Sequence, residues 1–302
     1  MIQSLSVILF VMILAVLLLI FVLSRKFPPS GTRLGDYILL EMIGKGGMAE
    51  IYCARNRILK KITAVKILDQ ALIRDREVVY KFLKEGENLA KINIEFPGSP
   101  VVKVLEYSHP SSNGPYFIAM EYLQGSTLWW ILNSKKTLTL KAKLHIIKEI
   151  ARALHCSHTL KIYHRDISPD NIFVDGNTIT LIDFGIAKQE FSDYYTLNLR
   201  LAGKPHYMSP EQCSGKIVNG KSDIYSLGVV LFYMLEGKPP YVSSNQGELI
   251  TMHQKYPVPE IMHPIPLDLR NLLHRMLSKE PEDRPGALEV VNQLNYLIQQ
   301  KY

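Results

Sequence analysis

Two carboxylates and an amide are the side chains of this sequence best placed for chemistry. Asp166 and Asn171 stand five residues apart in the segment HRDISPDN, on a predicted loop between a helix and a pair of strands. Asp183 opens the tripeptide DFG directly after a short apolar strand, Ile179 to Ile182. Their oxygen atoms are the ligands that Mg²⁺ prefers. Each segment alone could be structural, but their order and spacing could hardly arise by chance.

Three weaker patterns come earlier in the chain. Gly44, Gly46 and Gly47 form a glycine-rich turn between two predicted strands, and glycine lets backbone N–H groups come close to a polyphosphate. Lys66 lies on a following strand, and Glu85 lies on the next predicted helix. Taken singly, these are a tight turn, the polar face of a strand and a solvated charge.

Strands that come first and helices that follow must position these residues. Alternating or dense apolar runs predict strands at 37–43, 51–54, 63–68, 101–107 and 116–122, with the glycine-rich turn spanning residues 44–50. A charged amphipathic helix is predicted at 77–92. Long helical patterns then cover 140–160, 223–235 and 267–277. The sequence therefore predicts an antiparallel sheet with one helix, joined near 121–125 to a helical domain.

The whole set of motifs resembles the eukaryotic-like Ser/Thr protein kinase family of bacteria. The glycine loop, strand lysine, HRD segment and DFG are followed by Ser209-Pro210-Glu211, Asp223 and Arg284. The resemblance covers about Asp36 to Leu297. It implies an α+β, bilobal protein-kinase fold at 36–298, with a sheet lobe at 36–120, a hinge at 121–125 and a helical lobe at 126–298.

The resemblance also implies a role for each site residue. ATP would contact the glycine loop, two strands and the hinge through Gly44, Lys45, Gly46, Gly47, Ile51, Ala64, Lys66, Glu121 and Leu123. Lys66 would hold the α- and β-phosphates and pair with Glu85. Asp166 would orient the substrate hydroxyl and accept its proton, while Asn171 and Asp183 would bind Mg²⁺, with Mn²⁺ as an alternative. Glu211 would pair with Arg284, and Asp223 would brace the catalytic loop.

The sequence departs from the family pattern at three positions. Ala49 replaces the third loop glycine. Ser168 stands where Ser/Thr kinases usually carry a catalytic-loop lysine, and Lys204 stands where they usually carry a threonine. Because these two positions are neighbours in that fold, we interpret them as an exchanged pair in which Lys204 returns the missing cation to the phosphoryl group. The alternative is that Ser168 marks lost activity and Lys204 faces solvent.

An apolar run at the N-terminus predicts a membrane anchor. From Leu5 to Leu23 the only polar residue is Ser6, and a bilayer core needs about 20 apolar residues. Arg25 and Lys26 follow the run, so the positive-inside rule places the rest of the chain in the cytoplasm. A cleaved signal peptide would carry its basic residues before the run. We expect an uncleaved single-pass anchor at 1–26 and a linker at 27–35.

Composition narrows the remaining classes of function. The hydrophobic fraction of 47% and the charged fraction of 21% are typical of a folded globular chain. The net charge is +7, but no dense Lys/Arg run is present, so we expect no nucleic-acid partner. Three widely spaced cysteines lack metal-binding spacing and indicate a reducing compartment.

The expected function is Mg²⁺-assisted phosphoryl transfer from ATP to Ser or Thr hydroxyls of protein substrates. Two alternatives stay open. One is a membrane-tethered pseudokinase acting as an ATP-binding scaffold, although Lys66, Asp166 and Asp183 are all present. The other is a small-molecule kinase. Thr196, in the segment between DFG and SPE, is a candidate autophosphorylation site that would dock on Arg165. A merely flexible polar loop explains that segment equally well.

Overall fold

A computed structural model describes residues 31–108, 115–134, 136–184 and 205–301. The predicted anchor, Thr196 and Lys204 lie outside these residues. Within the described ranges, no helix is long and apolar enough to cross a bilayer.

The first lobe is a six-stranded sheet in which every neighbouring pair is antiparallel. The spatial order is β1-β2-β3-β4-β6-β5. The strands are β1 (Arg33–Leu34), β2 (Tyr37–Lys45), β3 (Ala49–Asn56), β4 (Ile62–Leu68), β5 (Val104–Tyr107) and β6 (Phe117–Glu121). Because side chains alternate along each strand, the sheet has one apolar cluster around Val65 and another, around Phe82 and Ile118, beneath its helix.

Helix α1 (Arg76–Glu95) is the only α-helix that the structure describes in this lobe. Asp75 caps its N-terminus by accepting hydrogen bonds from the N–H groups of Glu77 and Val78. Val78, Phe82 and Leu89 are buried, as helical spacing requires of one face. Glu85 lies on this inward side, so packing of the helix directs its carboxylate toward the cleft.

The second lobe is mainly helical. A short sheet of order β7-β8-β9 lies at its upper edge, formed by β7 (Ser126–Thr127), β8 (Ile172–Asp175) and β9 (Thr178–Leu181). The helices are α2 (Leu128–Asn133), α3 (Leu140–Thr159), α4 (Pro210–Cys213), α5 (Gly220–Glu236), α6 (Gln246–Lys255), α7 (Leu267–Met276) and α8 (Ala287–Lys301). Helices α3 and α5 contribute many of the buried residues of the lobe's single large core.

Two predicted boundaries were wrong. The turn predicted at 44–50 is narrower, because Gly44 and Lys45 end β2, and Ala49 and Glu50 begin β3. The strand predicted from Val101 begins only at Val104. Val101 instead forms an isolated parallel bridge with Leu181, and it is buried in the core of the helical lobe. Its burial there ties the connection between α1 and β5 to the second lobe.

Candidate active site

A lysine and two carboxylates meet where the two lobes face each other. Lys66 Nζ on β4 lies 2.7 Å from Glu85 Oε1 on α1 and 2.5 Å from Asp183 Oδ1, which follows β9. The Lys66 and Glu85 side chains are only 12% and 7% exposed, whereas that of Asp183 is 38% exposed and open to the cleft. The sheet lobe and the helical lobe therefore both contribute to one charged cluster.

The pKa values of the three groups reflect burial and mutual attraction. Burial disfavours the charged form of Lys66, but the carboxylates of Asp183 and Glu85 outweigh it and raise the lysine pKa. Burial raises the pKa of Glu85 to about 7 despite the pairing with Lys66, and the nearby Asp183 adds to the increase. Partial desolvation also opposes ionisation of Asp183, yet the adjacent Lys66 ammonium lowers the pKa of Asp183. One ammonium shared by two carboxylates leaves the site able to accept a further cation.

Asp223 on α5 holds the backbone of the loop that carries Asp166. Its carboxylate accepts hydrogen bonds from the N–H groups of His164 (2.9 Å) and Arg165 (2.7 Å). Arg165 has φ of 66°, a strained conformation for a residue with a side chain, so these bonds help to maintain the turn. His158 also donates to Asp223 at 2.8 Å. The predicted brace is therefore present, with a histidine that the sequence interpretation did not include.

Asp166 and Asn171 are joined by hydrogen bonds within the loop. The Asn171 amide nitrogen donates to the Asp166 carbonyl at 2.8 Å and to its carboxylate at 3.1 Å. Ser168 between them is fully buried, and its carbonyl accepts from the Asn171 N–H at 3.0 Å. The loop thus fixes the orientation of the Asp166 carboxylate. Lys204, the proposed partner of Ser168, lies outside the described residues.

Packing of Phe184 determines the position of Asp183. The Phe184 ring is fully buried, with its centroid 4.7 Å from that of His164. His164 donates from Nε2 to the Ile182 carbonyl at 2.9 Å and accepts at Nδ1 from the Asp166 N–H at 3.3 Å. Burial lowers the pKa of His164, so a neutral ring fits this pair of roles. His164 therefore connects the segments that carry the two aspartates.

The strand residues predicted to contact nucleotide share one face of the sheet. Ile51 on β3 is paired with Lys66 on β4, and Ala64 precedes Lys66 by two residues. Because directly paired residues and residues two apart point to the same side, all three side chains lie on a common face. Gly44 pairs with Ile51 at the end of that row. Gly46 and Gly47 form the turn itself.

An ion pair between Lys45 and Glu50 joins the two strands of the glycine hairpin. Lys45 Nζ lies 3.1 Å from Glu50 Oε1 across the turn, while the Tyr52 hydroxyl donates to the other Glu50 oxygen at 2.9 Å. Lys45 is thus engaged with the hairpin rather than extended into the cleft. Its predicted contact with nucleotide would come from its backbone.

The hinge offers backbone groups and an adjoining cavity. Glu121 is held by two hydrogen bonds with Lys103. The Glu121 N–H donates to the Lys103 carbonyl at 2.9 Å, and the Glu121 carboxylate accepts from the Lys103 N–H at 3.0 Å. Among the described residues, the peptide groups of Leu123 make no backbone hydrogen bond. A cavity of about 240 Å³ lies beside the hinge, lined by Leu123 and Phe173 among others. Ile51 and Ala64 do not line it, so it lies below the predicted adenine position.

A glycine ends the hinge for a steric reason. Gly125 has φ of 92°, and a Cβ there would lie 2.3 Å from the Val174 carbonyl oxygen. Any side chain would therefore separate the hinge from β8. This requirement was not recognised from the sequence.

The donor set fits a Mg²⁺ ion that is shared with phosphate oxygens. Asp183 opens toward the cleft, and Asn171 uses its amide nitrogen on Asp166, which leaves its carbonyl oxygen for a cation. Within the described ranges, no group of three or more His, Cys, Asp and Glu side chains could hold a metal by itself. A Mg²⁺ ion here would need oxygens from a bound nucleotide to complete its shell.

A buried ion pair supports the floor of the site. Arg284 donates to both oxygens of Glu211, at 2.6 and 2.8 Å, and both residues are buried. Glu211 lies on α4, where Ser209 and Gln212 form a capping box. The Gln212 amide also donates to the Arg165 carbonyl at 2.9 Å. The capping box could be recognised from the sequence, but its contact with the loop that carries Asp166 could not.

The class of protein follows from the two lobes and the charged cleft between them. A lysine paired with a helix glutamate on the sheet lobe contacts an aspartate of the helical lobe, a set of groups suited to phosphates and a metal ion. The model of the protein kinase domain family matches residues 37–296. The chain belongs to the protein kinase family.

Individual relatives agree with this assignment. A probable serine/threonine-protein kinase of Clostridium perfringens is 35% identical over 270 residues, which cover 87% of this chain and 38% of that protein. The serine/threonine-protein kinase PrkC of Bacillus subtilis is 34% identical over 260 residues, covering 84% of this chain and 39% of PrkC. The chain therefore spans about two fifths of the length of these relatives.

A solved structure shares the fold. The crystal structure of the PknI kinase domain of Mycobacterium tuberculosis superimposes with a TM-score of 0.65 at 25% identity. The alignment covers 89% of this chain and 99% of the PknI chain.

Proposed function

We propose that this chain is a Ser/Thr protein kinase that transfers the γ-phosphoryl group of ATP to protein hydroxyls. The Lys66–Glu85–Asp183 cluster carries the proposal, because it provides one cation for phosphates and one carboxylate for a metal ion. The relatives are named as serine/threonine-protein kinases, which supports Ser and Thr as the acceptors. Bound Mg²⁺ would neutralise charge on the phosphates.

The chain's own residues would mainly position the reactants. Lys66 would exchange its contact with Asp183 for the α- and β-phosphates while Glu85 keeps it in place. Asp166, oriented by Asn171, would hold the acceptor hydroxyl and accept its proton as the new bond to phosphorus forms. The leaving group is ADP. Electrostatic stabilisation and orientation therefore account for the chemistry.

Transfer of labelled phosphate tests the proposal. The purified chain is incubated with γ-labelled ATP, Mg²⁺ and a generic protein acceptor, and labelled amino acids are separated. We expect phosphoserine and phosphothreonine from the wild type and almost none from Lys66→Met. Lys255→Met, a change at an exposed lysine of the helical lobe, is the matched control and should behave as wild type. ATP binding without transfer would favour the scaffold, and label on small molecules alone would favour a small-molecule kinase.

We further propose that the chain is a single-pass membrane protein with its kinase domain in the cytoplasm. The support is the apolar run from Leu5 to Leu23 and the two cations that follow it. Extraction of native membranes with alkaline carbonate should leave the chain in the pellet, and deletion of residues 1–26 should release it. Recovery of the intact chain in the supernatant would contradict the anchor.

A further inference from the structure

A hairpin tip at one end of the sheet combines positive charge with exposed aliphatic side chains. The connection between β3 and β4, with the strand ends beside it, reads Arg55-Asn56-Arg57-Ile58-Leu59-Lys60-Lys61-Ile62. We call residues 55–62 the basic tip. Ile58, Leu59 and Ile62 are 69%, 57% and 41% exposed. Nothing in the proposed phosphoryl transfer uses this surface, which lies at the end of β3 away from the glycine turn.

The tip is rigid. The Asn56 side chain is buried, and its oxygen accepts hydrogen bonds from the N–H groups of Ile58 (3.0 Å) and Leu59 (2.8 Å). The Asn56 N–H donates to the Lys61 carbonyl at 2.9 Å and closes the turn. The hydrogen-bonded turn therefore presents the side chains of Ile58 and Leu59 to solvent.

The cations of the tip form no salt bridges within the described part of the chain. Arg55, Arg57, Lys60 and Lys61 are all exposed, and within the described ranges none of them takes part in an ion pair. The backbone carbonyl of Asp36 accepts a hydrogen bond from the Arg57 N–H at 2.8 Å, so one acidic residue lies beside the tip. The surface therefore keeps a strong positive charge that a polyanionic partner could neutralise.

A cross-strand row extends this surface to the point where the chain enters the sheet lobe. Arg33 on β1 pairs with Ile38 on β2, Ile38 pairs with Arg55 on β3, and Arg55 pairs with Ile62 on β4. Directly paired residues share a face, so two cations and two isoleucines alternate along one side of the sheet. Arg33 and Arg55 are separated by two strand spacings, about 10 Å.

The length of chain before Gly31 brings the tip close to the proposed anchor. Residues 27–31 can span at most about 17 Å when fully extended. Gly31 is itself tied to β2, since its N–H donates to the Leu39 carbonyl at 2.7 Å. An anchor that ends at Lys26 would thus keep this end of the sheet lobe near the headgroups.

We propose that the basic tip and its cross-strand row form a docking surface for an anionic phospholipid bilayer and orient the kinase domain on the membrane. The proposal rests on the proposed anchor for its proximity and on the described residues for its chemistry. Lys and Arg side chains would neutralise lipid phosphates, while Ile58 and Leu59 would enter the interfacial region. Nucleic acid fits less well, because phosphate contacts would leave both aliphatic side chains in water.

A fluorescent probe at the tip tests the proposal. The full chain carrying Leu59→Cys is labelled with an environment-sensitive dye and reconstituted into vesicles that contain a headgroup nitroxide lipid. Met262→Cys, an 82% exposed site on the helical lobe, is the matched probe position. Native Cys53 and Cys156 are buried, and the half-buried Cys213 is changed to Ser in both probe chains, so that labelling is confined to the introduced cysteine.

In vesicles that contain phosphatidylglycerol, quenching at position 59 should exceed quenching at 262 by roughly threefold or more. It should fall to the level of 262 in pure phosphatidylcholine, and in the triple variant Arg57→Gln, Lys60→Gln, Lys61→Gln. A matched triple variant of exposed lysines on the helical lobe, Lys216→Gln, Lys238→Gln and Lys255→Gln, should keep full quenching. Equal quenching at 59 and 262 in the anionic vesicles would overturn the proposal.

Carbonate extraction of the same vesicles separates this inference from the anchor. A chain that resists extraction but shows no tip quenching leaves the anchor standing and refutes the docking surface. A chain that is extracted, yet shows quenching at 59 in anionic vesicles before extraction, refutes the anchor and supports the docking surface. Loss of both signals refutes both.

Discussion

Removing Arg284 should destabilise the kinase domain far more than removing any exposed arginine. The Arg284 side chain is fully buried and donates two charged hydrogen bonds to Glu211, and three more to the carbonyls of Ser278, Lys221 and Lys279. Arg284→Met would leave the Glu211 carboxylate buried, with the Ser222 hydroxyl as its remaining side-chain donor among the described residues.

Breaking one half of a buried ion pair typically costs about 3–5 kcal/mol of unfolding free energy. The exposed pair Arg275–Glu289 has a similar distance, 2.7 Å, but its side chains are 45% and 42% exposed. Its loss through Arg275→Met should cost about 0–1 kcal/mol. The two arginines thus form a comparison between an exposed ion pair and a buried one that also has extra hydrogen bonds and a contact with the Tyr225 ring.

Urea unfolding followed by circular dichroism measures the difference. At an m-value of about 2–3 kcal/mol/M, the midpoint should fall by about 1–2.5 M for Arg284→Met and by less than about 0.5 M for Arg275→Met. Adding Glu211→Gln to Arg284→Met should recover part of the loss, because the stranded charge disappears. If both arginine variants shift the midpoint equally, the buried pair does not support the lobe as argued.

Three other predictions concern pH and the loops. Burial lowers the pKa of His253 from 6.5 to about 3, so below pH 6.5 only the unfolded state takes up the proton. Wild type should therefore lose about 2 kcal/mol of stability between pH 7 and pH 5 that His253→Gln does not lose, as thermal melts at both pH values would show. Because the pKa of Glu85 is raised to about 7, its pairing with Lys66 weakens as pH falls below 7. The kcat/KM for ATP should decline there, and a profile with no such limb would contradict this. Lys204→Thr should slow turnover roughly a hundredfold, and adding Ser168→Lys should restore much of the rate; no effect of Lys204→Thr would refute the exchanged pair.

The order and spacing of charged residues predicted contacts of the site well. The residues at which strands begin and end were predicted less well. Asp223 and the Glu211–Arg284 pair could be anticipated because the family pattern fixes their order. Strand limits could not, because Val101 gains more by burial in the helical lobe than by pairing with β6. Contacts such as His158 with Asp223 depend on how α3 packs against α5, and no local pattern encodes that.

The basic tip is a second feature that the sequence alone could not predict. Its residues are visible in the sequence as two short clusters of Lys and Arg, which look like ordinary solvated charges. Only the register Arg33–Ile38–Arg55–Ile62 brings Arg33 onto the same face of the sheet as Arg55 and the exposed Ile62. Cross-strand pairing joins residues distant in sequence, so a surface of this kind emerges only from the folded sheet.

The phosphoryl-transfer rate of Asp166→Asn tests the central proposal most directly. The substitution keeps the size of the side chain and a carbonyl oxygen, but it removes the base that would accept the hydroxyl proton. At saturating ATP and Mg²⁺, we expect transfer to a protein acceptor to fall by about a hundredfold or more, with ATP affinity nearly unchanged. Transfer at the wild-type rate by Asp166→Asn would contradict the assignment of this cleft as a kinase active site.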